Sequence, residues 1–281
     1  MKFSFVTPRY PLDEVAFGAA SFGIVGCEDP CTANIRSFTH DVRGTVINGS
    51  YQHCLSNLAG HEPQAIIALL GNAGGENEFI REVGRRAGCP VTGGAAAFED
   101  RKGLIAGGGE ASLFLISDDR YSVDVECFNI HTQIMEQCVL KTESPRVIRT
   151  VNGEDAIQWY NKKRKQLGIS ESDFEHLTLA DELGINAHLS IADGKLCSGR
   201  DLRGQMVLRY APPEDVFENM QSFYSGKNSL VFGCAGLKGI LPAPLSTEGL
   251  GLFMFGEVCT AAGQSEFGNL MLSKLTLTPK A

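Results

Sequence analysis

Apolar positions along the chain fall in short runs separated by glycine-rich or charged breaks. The first well-defined run is Ala65–Leu70 (AIIALL), aliphatic throughout, as in a strand buried on both faces. It leads through GNAGGEN into FIREVGRRAG, where Phe79, Ile80 and Val83 share one helical face and Gly88 supplies the stop. An extended piece then begins at Cys89-Pro90-Val91 and runs into TGGAAAF, completing a strand–helix–strand crossover unit. A turn at Glu99–Gly103 and a glycine run, Gly107 to Gly109, precede a strand, ASLFLIS, and a loosely alternating strand over residues 121–130.

The polar stretch KTESPRVIRTVNGED marks a shift and carries an Asn152-Gly153 turn signal. AIQWYNKKRKQLG reads as a helix ending at Gly168, and Ser170 and Ser172 offer caps for a further helix over SESDFEHLTLADELG. INAHLSIADGKLCSG predicts two short strands around an Asp193-Gly194 hairpin turn. GQMVLRYA is a strand, PPEDVFENMQSFYSG a helix with Pro213 in its first turn, and NSLVFGCAG a strand ending in a turn. FMFGEVCTAAGQSEF and NLMLSKLTLT close the chain with strand-like alternation. This mixture of helices, strands and hairpins predicts an α+β (mixed α/β) fold.

At 281 residues the chain suits two modest domains or one domain with an internal duplication. With 43% hydrophobic residues it can fill an interior, which excludes wholesale disorder. A net charge of −8 argues against a nucleic-acid partner, because neutralising phosphates needs a basic face. The one basic run, Lys162 to Lys165, reads as a solvated helix face. No apolar run approaches the ~20 residues of a membrane span, and the N-terminus has prolines and charges where a signal peptide would be apolar. These features predict a cytoplasmic protein without a membrane partner. Nine cysteines, an odd number with no CxxC pair, read as reduced and mostly buried thiols. Six histidines (His40, His53, His61, His131, His176 and His188) lack metal-type spacing; His53 and Cys54 are read as neighbours facing opposite ways in a strand. No metal site is expected.

The order of signals in the second half is specific. NGEDAIQWY, the IADGKL hairpin, GQMVLRYAPPEDV, LVFGCAG (Leu230–Gly236), MFGEV (Met254–Val258) and EFGN (Glu266–Asn269) follow one another, and Pro90-Val91-Thr92-Gly93-Gly94 stands in the first half. This order resembles the FIST family, bacterial proteins of sensory and signalling systems, over about residues 64–277. Two family positions differ: an arginine is Leu237 here, and a histidine is Gly268. The resemblance implies two related halves, 1–145 and 146–281, with mixed sheets flanked by helices around a central cleft. It further implies a small-molecule sensor, with Gly93, Gly94, Cys234, Gly236, Glu257 and Asn269 lining the cleft and a separate effector protein as partner. A haem-binding gas sensor with a single axial histidine is an alternative within the family.

Read on their own chemistry, these residues leave alternatives open. Cys234 ends a buried strand at a glycine turn, where it is either a packed thiol or a nucleophile activated by backbone amides. Glu257 is a lone acid in the apolar FMFGEVC: a partner for a ligand's ammonium, a proton acceptor, or an exposed edge residue. Asn269 either orients a ligand or caps a turn. Gly93 and Gly94 permit close backbone approach or a carboxylate cradle. GNAGGEN lacks a GKS or GKT ending, and Glu76 and Glu78 suit a helix N-terminus better than a phosphate site.

Overall fold

The structure, a computed structural model, describes residues 16–17, 23–25, 31–36, 41–71, 74–96, 110–170, 176–224, 229–234, 236–237, 250–254 and 256–281. The turn at 99–103, the glycine run 107–109, Ser172 and part of the GNAGGEN loop lie outside these residues.

The first sheet has eight strands among the described residues. The apolar run becomes β5 (Ala65–Gly71), followed by α2 (Glu76–Ala87) and β6 (Val91–Ala96), with β5 and β6 parallel. Gly88 caps α2 in the left-handed region. Antiparallel strands β7 (Glu110–Ile116), β4 (Asp41–Ser50), β3 (Cys31–Arg36) and β2 (Gly23–Val25) extend the sheet beyond β5. On the other side β18 (Glu257–Ala261) pairs with β6, and β19 (Gln264–Gly268) pairs with β18. His53 and Cys54 lie in a short helix, α1 (Tyr51–Asn57), rather than a strand, because the Ser50 side chain accepts the His53 N–H and caps it.

A second sheet repeats the same plan. β16 (Ser229–Cys234) lies parallel to β17 (Leu250–Met254) and antiparallel to β20 (Leu272–Pro279), with β8 (Tyr121–Phe128) beside β20 and β1 (Ala16–Phe17) beside β17. Its order, β1-β17-β16-β20-β8, matches β18-β6-β5-β7-β4 strand for strand in direction. The two sheets pack face to face through Ile67, Leu69 and Phe114 on one and Leu230, Phe232 and Leu275 on the other. Each such side chain, fully buried, contributes roughly 2 kcal/mol. The outer face of the first sheet carries α1 and α2 through Cys54, Phe79, Ile80 and Val83. The outer face of the second carries α4 (Pro213–Tyr224) through Val216 and Met220.

Between β8 and α4 the chain forms a third unit. β9 (Gln133–Ser144), β10 (Val147–Val151), β12 (Leu177–Ala180), β13 (Asn186–Ala192), β14 (Lys195–Ser198) and β15 (Gln205–Tyr210) are antiparallel, and β9 pairs with both β15 and β10, closing a six-stranded ring. A two-residue β11 (Glu154–Asp155) flanks β10. The ring is filled by Leu140, Leu179, Leu189, Leu208 and, from α3 (Ala156–Leu167), Trp159 and Tyr160. Asn152 (φ 52°) with Gly153 and Asp193 (φ 50°) with Gly194 make the two expected turns. Leu177–Ala180 is a strand instead of part of a helix: all four residues are buried between β13 and β15, and ladder pairing on both edges outweighs local propensity.

The fold is mixed α+β. Strands from both sides of residue 145, which lies in the β9–β10 hairpin, share every sheet. No helix among the described residues is long and apolar enough to cross a membrane.

Candidate functional site at the sheet seam

Three sequence-predicted residues meet where the sheets face each other. β18 places Glu257 opposite Gly94 of β6, and alternation along β18 puts Glu257 and Cys259 on one side while Val258 packs toward α2. Cys234, the last residue of β16, places its thiol beside the Glu257 carboxyl, and each group shifts the other's pKa. The backbone of Met271 holds both residues: its N–H donates to Glu257 Oε2 at 3.1 Å, and its carbonyl accepts the Cys234 N–H at 3.3 Å. Gly236 directs its N–H at the Cys234 sulfur, as does Leu270.

The seam is tight around the glycines. Gly93 has φ +128°, and an added Cβ would lie 2.0 Å from the Ala68 carbonyl oxygen. At Gly94 a Cβ would lie 2.5 Å from the Gly256 carbonyl oxygen and 2.8 Å from the Met254 Cβ. Both glycines therefore let neighbouring backbones approach. Asn269 is placed differently: its N–H donates to the Asn186 carbonyl at 3.0 Å, and its side-chain oxygen lies beside Gly199, at the barrel.

Electrostatics set the state of the pair. Glu257 is 0% exposed, and burial pushes its carboxyl well above the usual range despite the donors around it. Among the described residues its Oε1 has no hydrogen-bond partner. Burial thus favours the neutral acid at Glu257, and the exposed-edge reading does not hold. Burial and the neighbouring Glu257 also raise the Cys234 thiol well above its ordinary value, the direction opposite to activation.

His131, His176 and His188 are engaged elsewhere. His131 is fully buried, with Nδ1 3.0 Å from Asn186 Nδ2, and His176 Nδ1 is 2.7 Å from the Ala211 carbonyl. Burial lowers the His188 pKa to about 4. Among the described residues no group of three or more His, Cys, Asp or Glu side chains is arranged to hold a metal ion. A groove of about 660 Å³ opens between α1 and α2, but its Arg85 and Arg86 pair with Glu82, and its Arg81 pairs with Glu266.

Sequence reading missed two features beside the pair. Thr92 and Ser273 hydroxyls, 2.6 Å apart, bridge β6 to β20. Arg200 is fully buried, paired with Asp181, and donates to the Phe267 carbonyl at 2.9 Å, fastening the barrel to β19. Nothing in SGRDLRG distinguishes such an arginine from a surface one. No family model matches the chain, and no curated protein matches it.

Proposed function

We propose that the protein binds a small amine-bearing molecule, an amino acid or related small carboxylate, at the Cys234–Glu257 pair, as a cytoplasmic sensor of the FIST type that signals through a separate effector protein. The observation that carries this reading is the buried Glu257 acid with one oxygen unpartnered among the described residues. An uncompensated carboxyl in such a place is unfavourable, and a ligand's ammonium supplies the counter-charge that ionises it. Cys234 then offers a soft contact beside the carboxylate. The position supports the reading as well, because the pair sits at the carboxyl end of β16, which is parallel to β17, and ligands favour such strand ends.

A thermal-shift screen of amino acids, primary amines and small carboxylates tests the proposal on wild type and Glu257→Gln. Saturation at about 100-fold over Kd stabilises by about 2.7 kcal/mol, a shift of several degrees. The expected result is a response to amine-bearing compounds that disappears in Glu257→Gln. No response in wild type, or one unchanged in the variant, overturns the assignment.

A further inference from the structure

Glu257 shares its side of β18 with a second group. Cys259 lies two residues along the strand and is fully buried. It forms a small cluster with Ile185 and Met271, against which Cys127 packs from β8 of the opposite sheet. The Cys127 thiol is a near neighbour of the Cys259 thiol within this cluster, close enough to raise its pKa. Their exposures differ: Cys127 is half-buried and Cys259 is not reached by solvent at all. By contrast, the Cys54 thiol points at the backbone carbonyls of Ile47, Gly49 and Ala111.

We propose that Cys127 and Cys259 form an oxidant-responsive pair that closes to a disulfide across the seam between the two sheets, with hydrogen peroxide or another small hydroperoxide as the oxidant. The half-buried thiol reacts first. Cys127, as thiolate, attacks one peroxide oxygen; the O–O bond breaks, the second oxygen leaves as hydroxide and takes the thiol proton to become water, and Cys127 becomes a sulfenic acid. The Cys259 sulfur then attacks the Cys127 sulfur, the S–O bond breaks, and the departing hydroxide takes the Cys259 proton and leaves as a second water. Two thiols and one peroxide thus yield one disulfide and two waters. Burial holds Cys259 well above the usual thiol range, which keeps it unreactive toward bulk oxidant and leaves it the resolving partner. The bond would tie β8 to β18 beside Glu257, so oxidation state and ligand site are physically joined. The pairing does not depend on what Glu257 binds.

The test uses the folded, full-length chain. It is treated with hydrogen peroxide, remaining thiols are blocked with N-ethylmaleimide, and peptides are mapped without reduction. The expected product in most molecules is a Cys127–Cys259 linked peptide that dithiothreitol releases. In Cys259→Ser the link is absent, and Cys127 accumulates as a sulfenic acid captured by dimedone. Both cysteines recovered as maleimide adducts after peroxide has oxidised other thiols would overturn the proposal, as would Cys127 joined to a different cysteine. The wild-type map decides even if the variant does not fold.

Discussion

Replacing Glu257 with glutamine tests the protonation state on which the site rests. The groups that favour its charged form, the N–H groups of Met271, Gly256 and Glu257 and the Cys234 thiol, are all neutral, and burial holds the folded pKa well above the ordinary value of 4.5. In the unfolded chain the carboxyl regains an ordinary value. A carboxyl raised by folding contributes most stability below its unfolded pKa and loses that contribution as pH rises through its folded pKa. Between the two values the folded state holds one more proton than the unfolded state, so stability falls by about 1.4 kcal/mol per pH unit. Glutamine mimics the neutral acid: its carbonyl can accept the Met271 N–H, and its amide fills the place of the hydroxyl. The variant lacks the slope. The stability of wild type minus that of Glu257→Gln should therefore decline by about 1.4 kcal/mol per unit from about pH 4.5 upward, and at higher pH the variant becomes the more stable. Urea unfolding followed by circular dichroism at a series of pH values reads this difference. A difference that stays flat, or grows with pH, means that the folded Glu257 is ionised and already compensated, and the argument for a missing counter-charge fails.

Other consequences are equally direct. Gly94→Ala should lose roughly 2 kcal/mol, because its Cβ meets the backbone of Gly256 and the Met254 side chain; Gly93→Ala should lose more, adding a φ of +128° to a 2.0 Å clash, and urea midpoints rank the two. Arg200→Met should cost about 3–5 kcal/mol by leaving Asp181 buried and unpaired, while adding Asp181→Leu should recover most of it; a single variant within about 1 kcal/mol of wild type would contradict the buried pair. Cys234 should react with iodoacetamide near neutral pH more slowly than a small exposed reference thiol, and faster reaction would restore the nucleophile reading.

What could be read from the chain was local. The crossover from AIIALL through the Gly88 stop to Val91 needs only neighbouring residues, and the Asp193-Gly194 turn needs two. The closed barrel needs more. β9 is largely exposed along its length, with Ile134 and Val139 both on the surface, so no regular alternation announces it, and it closes the ring by pairing with two strands on opposite sides. Leu177–Ala180 shows tertiary pairing overriding the serines that precede it. At the site, Cys234 and Glu257 stood out as unusual residues in apolar runs, but their contact depends on β18 being given to the sheet of β6. Asn269 went to the barrel seam because Gly199 leaves room for its amide there. Arg200 and Asp181 carry no local mark, since charged residues in a polar loop are buried only by what docks on them.

The central claim is that an incoming ammonium ionises Glu257. Calorimetric titration of the amine-bearing compound that gives the largest thermal shift, repeated near neutral pH in buffers of different ionisation enthalpy, counts the protons exchanged on binding. The account predicts the release of one proton per ligand by wild type and none by Glu257→Gln. Binding to wild type without proton release, or with the same release in the variant, would contradict it.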